Sequence, residues 1–197
     1  MDERLLDPDP IAQVASWYAQ AQERGVAQPE AMTLATATPA GAPSARMVLL
    51  KGIDARGLTF FTNLDSRKAA ELAANPRAAL VLYWQPLRRQ VRVEGRVERL
   101  SEAESAAYFA TRPRGGALAA WASPQSRPLE SRDALERLYA GVEQRFAGED
   151  VPLPPFWGGY LVVPDAVELW EGRDNRLHDR VRYERAGSAW RLTRLAP

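Results

Sequence analysis

In the stretch Arg88-Arg89-Gln90-Val91-Arg92-Val93-Glu94-Gly95-Arg96-Val97-Glu98-Arg99, apolar Val91, Val93, Gly95 and Val97 alternate with charged Arg92, Glu94, Arg96 and Glu98. Side chains of a strand point alternately to opposite faces, so this is a strand with one apolar face and one face of mixed charge. The mixed sign describes a solvated sheet face better than a groove for nucleic acid.

Working outward, similar short runs precede it at 32–38, 45–53, 58–63 and 78–83, with 90–100 as the strand itself. The separators Pro39-Ala40-Gly41, Asp54 to Gly57 and Gln85-Pro86 suit tight connections, so the region reads as an antiparallel meander. The strand texture returns at 160–163, 167–171, 180–185 and 190–194, the last two joined through Ala186-Gly187-Ser188. Helical spacing fills the intervals. Asp9-Pro10 is a strong helix start, followed by Ile11, Val14, Trp17 and Tyr18 until Gly25. A short helix is expected at 66–74, and Ser101 with Glu104 forms a capping box for another through Ala110. A third is expected at 132–146, where Leu135, Leu138, Val142 and Phe146 recur. The prediction is a mainly β fold with flanking helices: a closed or half-open antiparallel barrel, one domain over 1–197 without repeats or linkers.

Composition narrows the function. The 197 residues carry 46% hydrophobic side chains, enough for a real core. With 26 basic against 25 acidic residues, no global field draws the molecule to nucleic acid or anionic lipid, so neither is an expected partner. Zero cysteines exclude thiol nucleophiles and thiolate metal sites, and a single histidine, His178, excludes a multi-histidine metal centre. The N-terminus MDERLLDPDPIAQ lacks an apolar leader pattern and no run of 18 apolar residues occurs, so a cytoplasmic protein without a membrane span is expected. Only Lys51 and Lys68 interrupt an otherwise all-arginine basic set.

Phe60-Phe61-Thr62-Asn63-Leu64-Asp65-Ser66-Arg67-Lys68 runs from a strand into a helix whose first turn holds two cations. Helix N-termini offer free N–H groups and positive potential, so Arg67 and Lys68 there read as an anion site suited to phosphate; exposed helix-forming cations are the plain alternative. Arg46 and Lys51 flank an apolar strand five residues apart, which in a regular strand puts them on opposite faces unless a bulge intervenes. Arg112-Pro113-Arg114-Gly115-Gly116 reads as a helix stop or an anion loop. His178 has no serine or cysteine motif near it, which excludes a hydrolytic triad. Trp157, Trp170 and Trp190 read more readily as core than as cofactor stacking.

Taken jointly, RMVLLK (46–51), FFTNLDSRKA (60–69), RRQVRVEGRVERLS (88–101), YFATRPR (108–114), SPQS (123–126), PLPPFWGGY (152–160) and the tail ELWEGRDNRLHDRVRYER with its final RLAP resemble the pyridoxamine 5′-phosphate oxidase family. The resemblance implies an FMN-binding split β-barrel that forms a homodimer with two flavin sites at the subunit interface. By position it implies that Arg46, Met47, Val48, Leu49, Leu50, Lys51, Phe61, Thr62, Arg67, Lys68, Gln90, Gln125, Ser126, Trp170 and Arg180 contact FMN. It likewise implies substrate contacts from Lys51, Tyr108, Arg112, Gly116, Arg176, Leu177 and His178, the first three on the substrate phosphate, with Arg176 and His178 as the catalytic pair at its reacting end.

The implied reaction oxidises pyridoxamine 5′-phosphate or pyridoxine 5′-phosphate to pyridoxal 5′-phosphate, hydride passing from the 4′ carbon to flavin N5 and oxygen leaving as hydrogen peroxide. Two departures stand out: Gly116 replaces a serine frequent in the family, and only about eight residues precede the first helix. The competing readings are a flavin oxidase of the same fold acting on another aromatic ring, such as a phenazine intermediate, and a non-catalytic flavin-binding protein.

Overall fold

The alternating stretch forms a central strand, paired along nearly its whole length on both sides. The computed structural model describes residues 1–197. In chain order the elements are α1 (Pro10–Glu23), β1 (Ala31–Ala37), β2 (Pro43–Leu49), β3 (Gly52–Asp54), β4 (Gly57–Asn63), α2 (Arg67–Ala74), β5 (Arg77–Trp84) and β6 (Arg89–Arg99). They continue as α3 (Glu102–Ala110), α4 (Arg114–Ala122), α5 (Arg132–Arg145), β7 (Trp157–Glu171), β8 (Asp179–Ala186) and β9 (Ala189–Arg194). All nine strands belong to one antiparallel sheet of order β2-β1-β5-β6-β7-β4-β3, with β8 on β7 and β9 on β8.

β7 accounts for the sheet's shape. One edge runs against β6 from Tyr160 to Glu171, while the other is shared, its first half pairing with β4 and its second with β8. Pro164 sits at the handover, where its missing N–H costs no ladder bond. Opposite, the register of β6 shifts between Glu94 and Gly95. A β-carbon at Gly95 would stand 2.0 Å from the Val163 carbonyl oxygen, so only glycine lets the backbones approach that closely.

The curled sheet encloses one core. Met32 and Leu34 of β1, Leu80 and Leu82 of β5, Val91 and Val93 of β6, and Leu58 and Phe60 of β4 join Val14 and Trp17 of α1 and Leu72 of α2 in a single buried cluster. Each such side chain contributes about 1.5 to 3 kcal/mol by leaving water. Trp84, 1% exposed, donates its indole N–H to the Pro29 carbonyl at 2.9 Å, so its one polar atom is satisfied. Helix starts follow the local chemistry: Asp9 accepts from the Ile11 N–H, and the Ser101–Glu104 capping box is complete.

Three expectations are corrected. Residues 45–53 are not one strand: Leu50 turns into the core, its N–H donates to Glu30, and the Lys51 N–H donates to Thr59, so the chain leaves the β1 partnership for β4. Residues 160–163 and 167–171 are one strand, because Pro164 lies where no partner requires its N–H. Residues 112–116 do follow the end of α3, as a helix stop should, but only Arg112 and Pro113 form the turn: Arg114 to Gly116 already open α4, which survives two glycines because Ala117, Leu118 and Ala122 are buried and Arg114 donates to Phe146 and Glu149 carbonyls beyond α5. No helix is long and apolar enough to cross a membrane.

Candidate active site

A cavity of about 430 Å³ opens where the end of β2, the end of β4 and the start of α2 meet α3 and α4. β2 and the following turn supply Arg46 to Leu49 and Lys51; β4 and α2 supply Phe61, Thr62, Asn63 and Lys68. α3 and the turn after it supply Tyr108 and Arg112; Ala119, Ala120, Ser123, Gln125 and Trp157 close the rim. Arg46, Lys51, Lys68 and Arg112 give the lining four cations, and no carboxylate lines it. The break after Leu49 explains how Arg46 and Lys51, which a regular strand would separate, share one cavity.

Lys68 is 7% exposed, and its ammonium donates to Gln125 Oε1 at 2.7 Å, Thr62 Oγ1 at 3.1 Å and Ser66 Oγ at 3.3 Å. All three acceptors are neutral. Burial, reinforced by the like charge of Arg46, pushes its pKa down to about 8. A buried cation without a counter-ion is costly unless a ligand supplies the missing charge.

Arg46 is held from beneath. Its Nη1 donates to Thr36 Oγ1 and to the Leu34 carbonyl, and its Nη2 to Ser44 Oγ and to Glu71 Oε2 at 3.3 Å. Glu71, 6% exposed on α2, also takes a 2.8 Å bond from Arg67 Nε. Burial works against its charge, but hydrogen bonds from Ser44, Thr36, Arg67 and Arg46 outweigh that and hold its pKa down at about 2. Glu71 was not among the residues singled out from sequence; its only signal is the four-residue spacing from Arg67.

Phe61, Tyr108 and Trp157 form a parallel stack, with Phe61 4.0 Å from Tyr108 and 5.3 Å from Trp157. Trp157, 6% exposed, is therefore both packed and part of the cavity wall, a role its reading as core alone missed. The Arg112 guanidinium lies 5.1 Å over the Trp157 ring and donates from Nη2 to the Gly116 carbonyl at 2.9 Å. Its Nε is buried without any acceptor, a donor left for a ligand.

Other expected residues lie outside this cavity. Arg67 is engaged by Glu71, Leu50 is core, Ser126 follows Gln125 in the left-handed region (φ 71°), and Gly116 serves Arg112 through its carbonyl. A second group gathers elsewhere on the sheet. Register aligns Gln90 with Trp170 and Trp170 with Arg180 in one row across β6, β7 and β8. Arg180 Nε donates to the buried Glu168 at 2.8 Å, and the His178 ring lies 4.7 Å from Trp170. The Arg173 N–H donates to His178 Nδ1, which fixes the neutral ring as the Nε2–H tautomer. Arg176 and Leu177 are exposed, and Arg176 follows Asn175 in left-handed backbone (φ 63° and 56°). One chain thus brings the candidates together as two separate groups.

An unpaired buried ammonium, an orphaned guanidinium N–H and a flat aromatic wall fit a planar ligand bearing phosphate, as FMN does. The fold and site thus define an antiparallel barrel protein that binds phosphorylated aromatic ligands. The family model described as pyridoxamine 5′-phosphate oxidase matches residues 19–146, and that described as the pyridoxine 5′-phosphate oxidase C-terminal dimerisation region matches residues 157–197. Among similar proteins, the pyridoxine/pyridoxamine 5′-phosphate oxidase of Rubrobacter xylanophilus is 60% identical over 97% of this chain and 88% of its own length. The crystal structure of PhzG from Burkholderia lata 383, in complex with tetrahydrophenazine-1-carboxylic acid, is 36% identical with a TM-score of 0.92, covering 97% of this chain and 94% of that one. A pyridoxamine 5′-phosphate oxidase-related, FMN binding protein from Nostoc punctiforme shares the fold at a TM-score of 0.77 and 20% identity, over 98% and 100% of the two chains. The chain belongs to the pyridoxamine 5′-phosphate oxidase family. Its fold is the FMN-binding split β-barrel, its cofactor is FMN, and it carries the family's dimerisation region.

Proposed function

We propose that this oxidase converts pyridoxamine 5′-phosphate and pyridoxine 5′-phosphate to pyridoxal 5′-phosphate, with oxygen as acceptor and hydrogen peroxide as second product. The observation that carries the reading is the cavity lined by four cations and no acid beside a stacked aromatic wall. Bound FMN supplies the electron transfer.

The chain's own residues bind and orient. Lys68 and Arg46, with Thr62 and Gln125, hold the flavin phosphate. Lys51, Tyr108 and the free Nε of Arg112 hold the substrate phosphate. The row Gln90, Trp170 and Arg180, with Arg176 to His178, completes the site from the second subunit of a homodimer, since none of these residues lines the cavity of its own chain. His178 then presents Nε2–H to the reacting end of the substrate, a positioning role.

PhzG was solved with a ring carboxylic acid, but three groups suited to a second phosphate favour the phosphorylated vitamer here. The test is to purify the protein, record its flavin spectrum and add pyridoxamine 5′-phosphate in air. One peroxide per product, with turnover, is expected. Turnover only on a reduced phenazine carboxylate would favour the other ring, and flavin without any turnover would mean a binding protein.

A further inference from the structure

Beneath the cavity lies an acid whose presence is at first sight unhelpful. A carboxylate near a phosphate site repels the ligand, yet Glu71 is buried, charged and bonded to Arg46 at 3.3 Å and Arg67 at 2.8 Å. No other carboxylate contacts a cavity cation: Lys51, Lys68 and Arg112 make no ion pair. Its bonds all come from one side of the site, from Thr36 of β1, Ser44 and Arg46 of β2, and Arg67 of its own helix.

We propose that Glu71 is a positioning residue for the flavin phosphate: it locks the Arg46 guanidinium in the orientation that presents its Nε edge to the cavity. The inference rests on the reading that Arg46 meets that phosphate. Both terminal nitrogens of Arg46 are occupied by Thr36, Leu34, Ser44 and Glu71, so the planar group cannot rotate without breaking several bonds. Arginine carries high rotamer entropy, and fixing it before binding removes that cost from the ligand's affinity. Two effects then oppose each other. Neutralising Glu71 removes repulsion, which favours phosphate, and loosens Arg46 together with the Thr36 and Ser44 hydroxyls that Glu71 also anchors, which disfavours it. The loosened Arg46 makes a weaker charge-assisted contact, a loss larger than a screened repulsion across the guanidinium, so the positioning effect dominates.

The experiment titrates the flavin-stripped protein with FMN and with riboflavin, which lacks the phosphate, for wild type, Glu71→Gln and Arg46→Ala. Glu71→Gln is expected to weaken FMN about tenfold and to leave riboflavin within about twofold. Tighter or unchanged FMN would make Glu71 a bystander, and equal losses for both flavins would make it a packing residue; either overturns the proposal. If Arg46→Ala leaves the FMN-to-riboflavin ratio unchanged, the phosphate placement itself fails and Glu71's role with it. Should Glu71→Gln not fold, Ser44→Ala, which removes the hydroxyl bridging Arg46 and Glu71, is expected to give the same phosphate-selective loss at about threefold, and none would overturn the proposal.

Discussion

The ammonium of Lys68 donates to Gln125 Oε1 at 2.7 Å, so the deepest cation of the cavity is tied to a neutral amide on the loop after α4 rather than to an acid. This places an unbalanced positive charge at the start of α2, where the helix N-terminus adds to it.

Lys68→Ala is expected to weaken FMN about tenfold to a hundredfold, the loss of a charge-assisted contact of roughly 1.5 to 3 kcal/mol. Fluorescence titration of the flavin-stripped protein measures it. Wild-type affinity in a folded mutant would show that the ammonium faces something other than the flavin.

The same lysine predicts a pH dependence. In the free protein Lys68 titrates near 8, and a phosphate favours its charged form. As pH rises through 8, binding must restore a lost proton, so FMN affinity falls, approaching tenfold per pH unit. Lys68→Arg, which stays charged, should bind FMN with a flat profile over that range. Stability of the free protein moves the other way: between about 8 and the ordinary lysine value of 10.5 the unfolded chain holds more protons, so this group's contribution becomes more favourable with pH. A wild-type affinity independent of pH from 7 to 10 would refute the assignment.

Gly116→Ser tests the missing hydroxyl. A β-carbon there stands 3.4 Å from Arg112 Nη2, so the new hydroxyl lies beside the guanidinium assigned to the substrate phosphate. One added hydrogen bond of about 1 kcal/mol should lower KM by a factor of a few without changing FMN content. An unchanged KM would mean that a backbone group or water already fills the place.

Arg176→Ala and His178→Ala should retain near-normal FMN yet lose at least about tenfold in kcat/KM, a transition-state cost of about 1.4 kcal/mol. Because these residues lie outside their own chain's cavity, the defect should complement across subunits. In random hybrids of Arg112→Ala and His178→Ala chains, half the dimers carry one intact site, so about a quarter of wild-type activity should return. Hybrids as inactive as their parents would place both residues in one chain's site.

The sheet was legible where alternation is strong, as in Val91 to Val97, and where turn residues punctuate it. It was not legible at Pro164, where a breaker residue is harmless only because two different strands share the edge of β7. Nor was α4, whose Gly115 and Gly116 oppose helix locally and are overruled by burial of Leu118 and by Arg114 bonding beyond α5. The place of Lys68 in the cavity lining was legible in Ser66-Arg67-Lys68 because a helix start leaves a chemical signature in sequence, whereas Arg67 beside it turns to Glu71. Glu71 and the partnership of Trp157 with Phe61, Tyr108 and Arg112 depend on chain segments far apart, which spacing alone does not encode.

Trp157 opens β7 and Trp170 stands one residue before its end, thirteen positions apart on one uninterrupted strand. At about 3.3 Å per residue that is roughly 43 Å of chain at most, measured out in residues rather than in contacts. A single residue inserted or deleted inside the strand would turn every side chain beyond it to the opposite face. Trp170 and its row with Gln90 and Arg180 would fall out of register with the cavity at the other end. β7 therefore works as a ruler: the number of residues between its two tryptophans sets how far the row with Gln90 and Arg180 stands from the cavity wall.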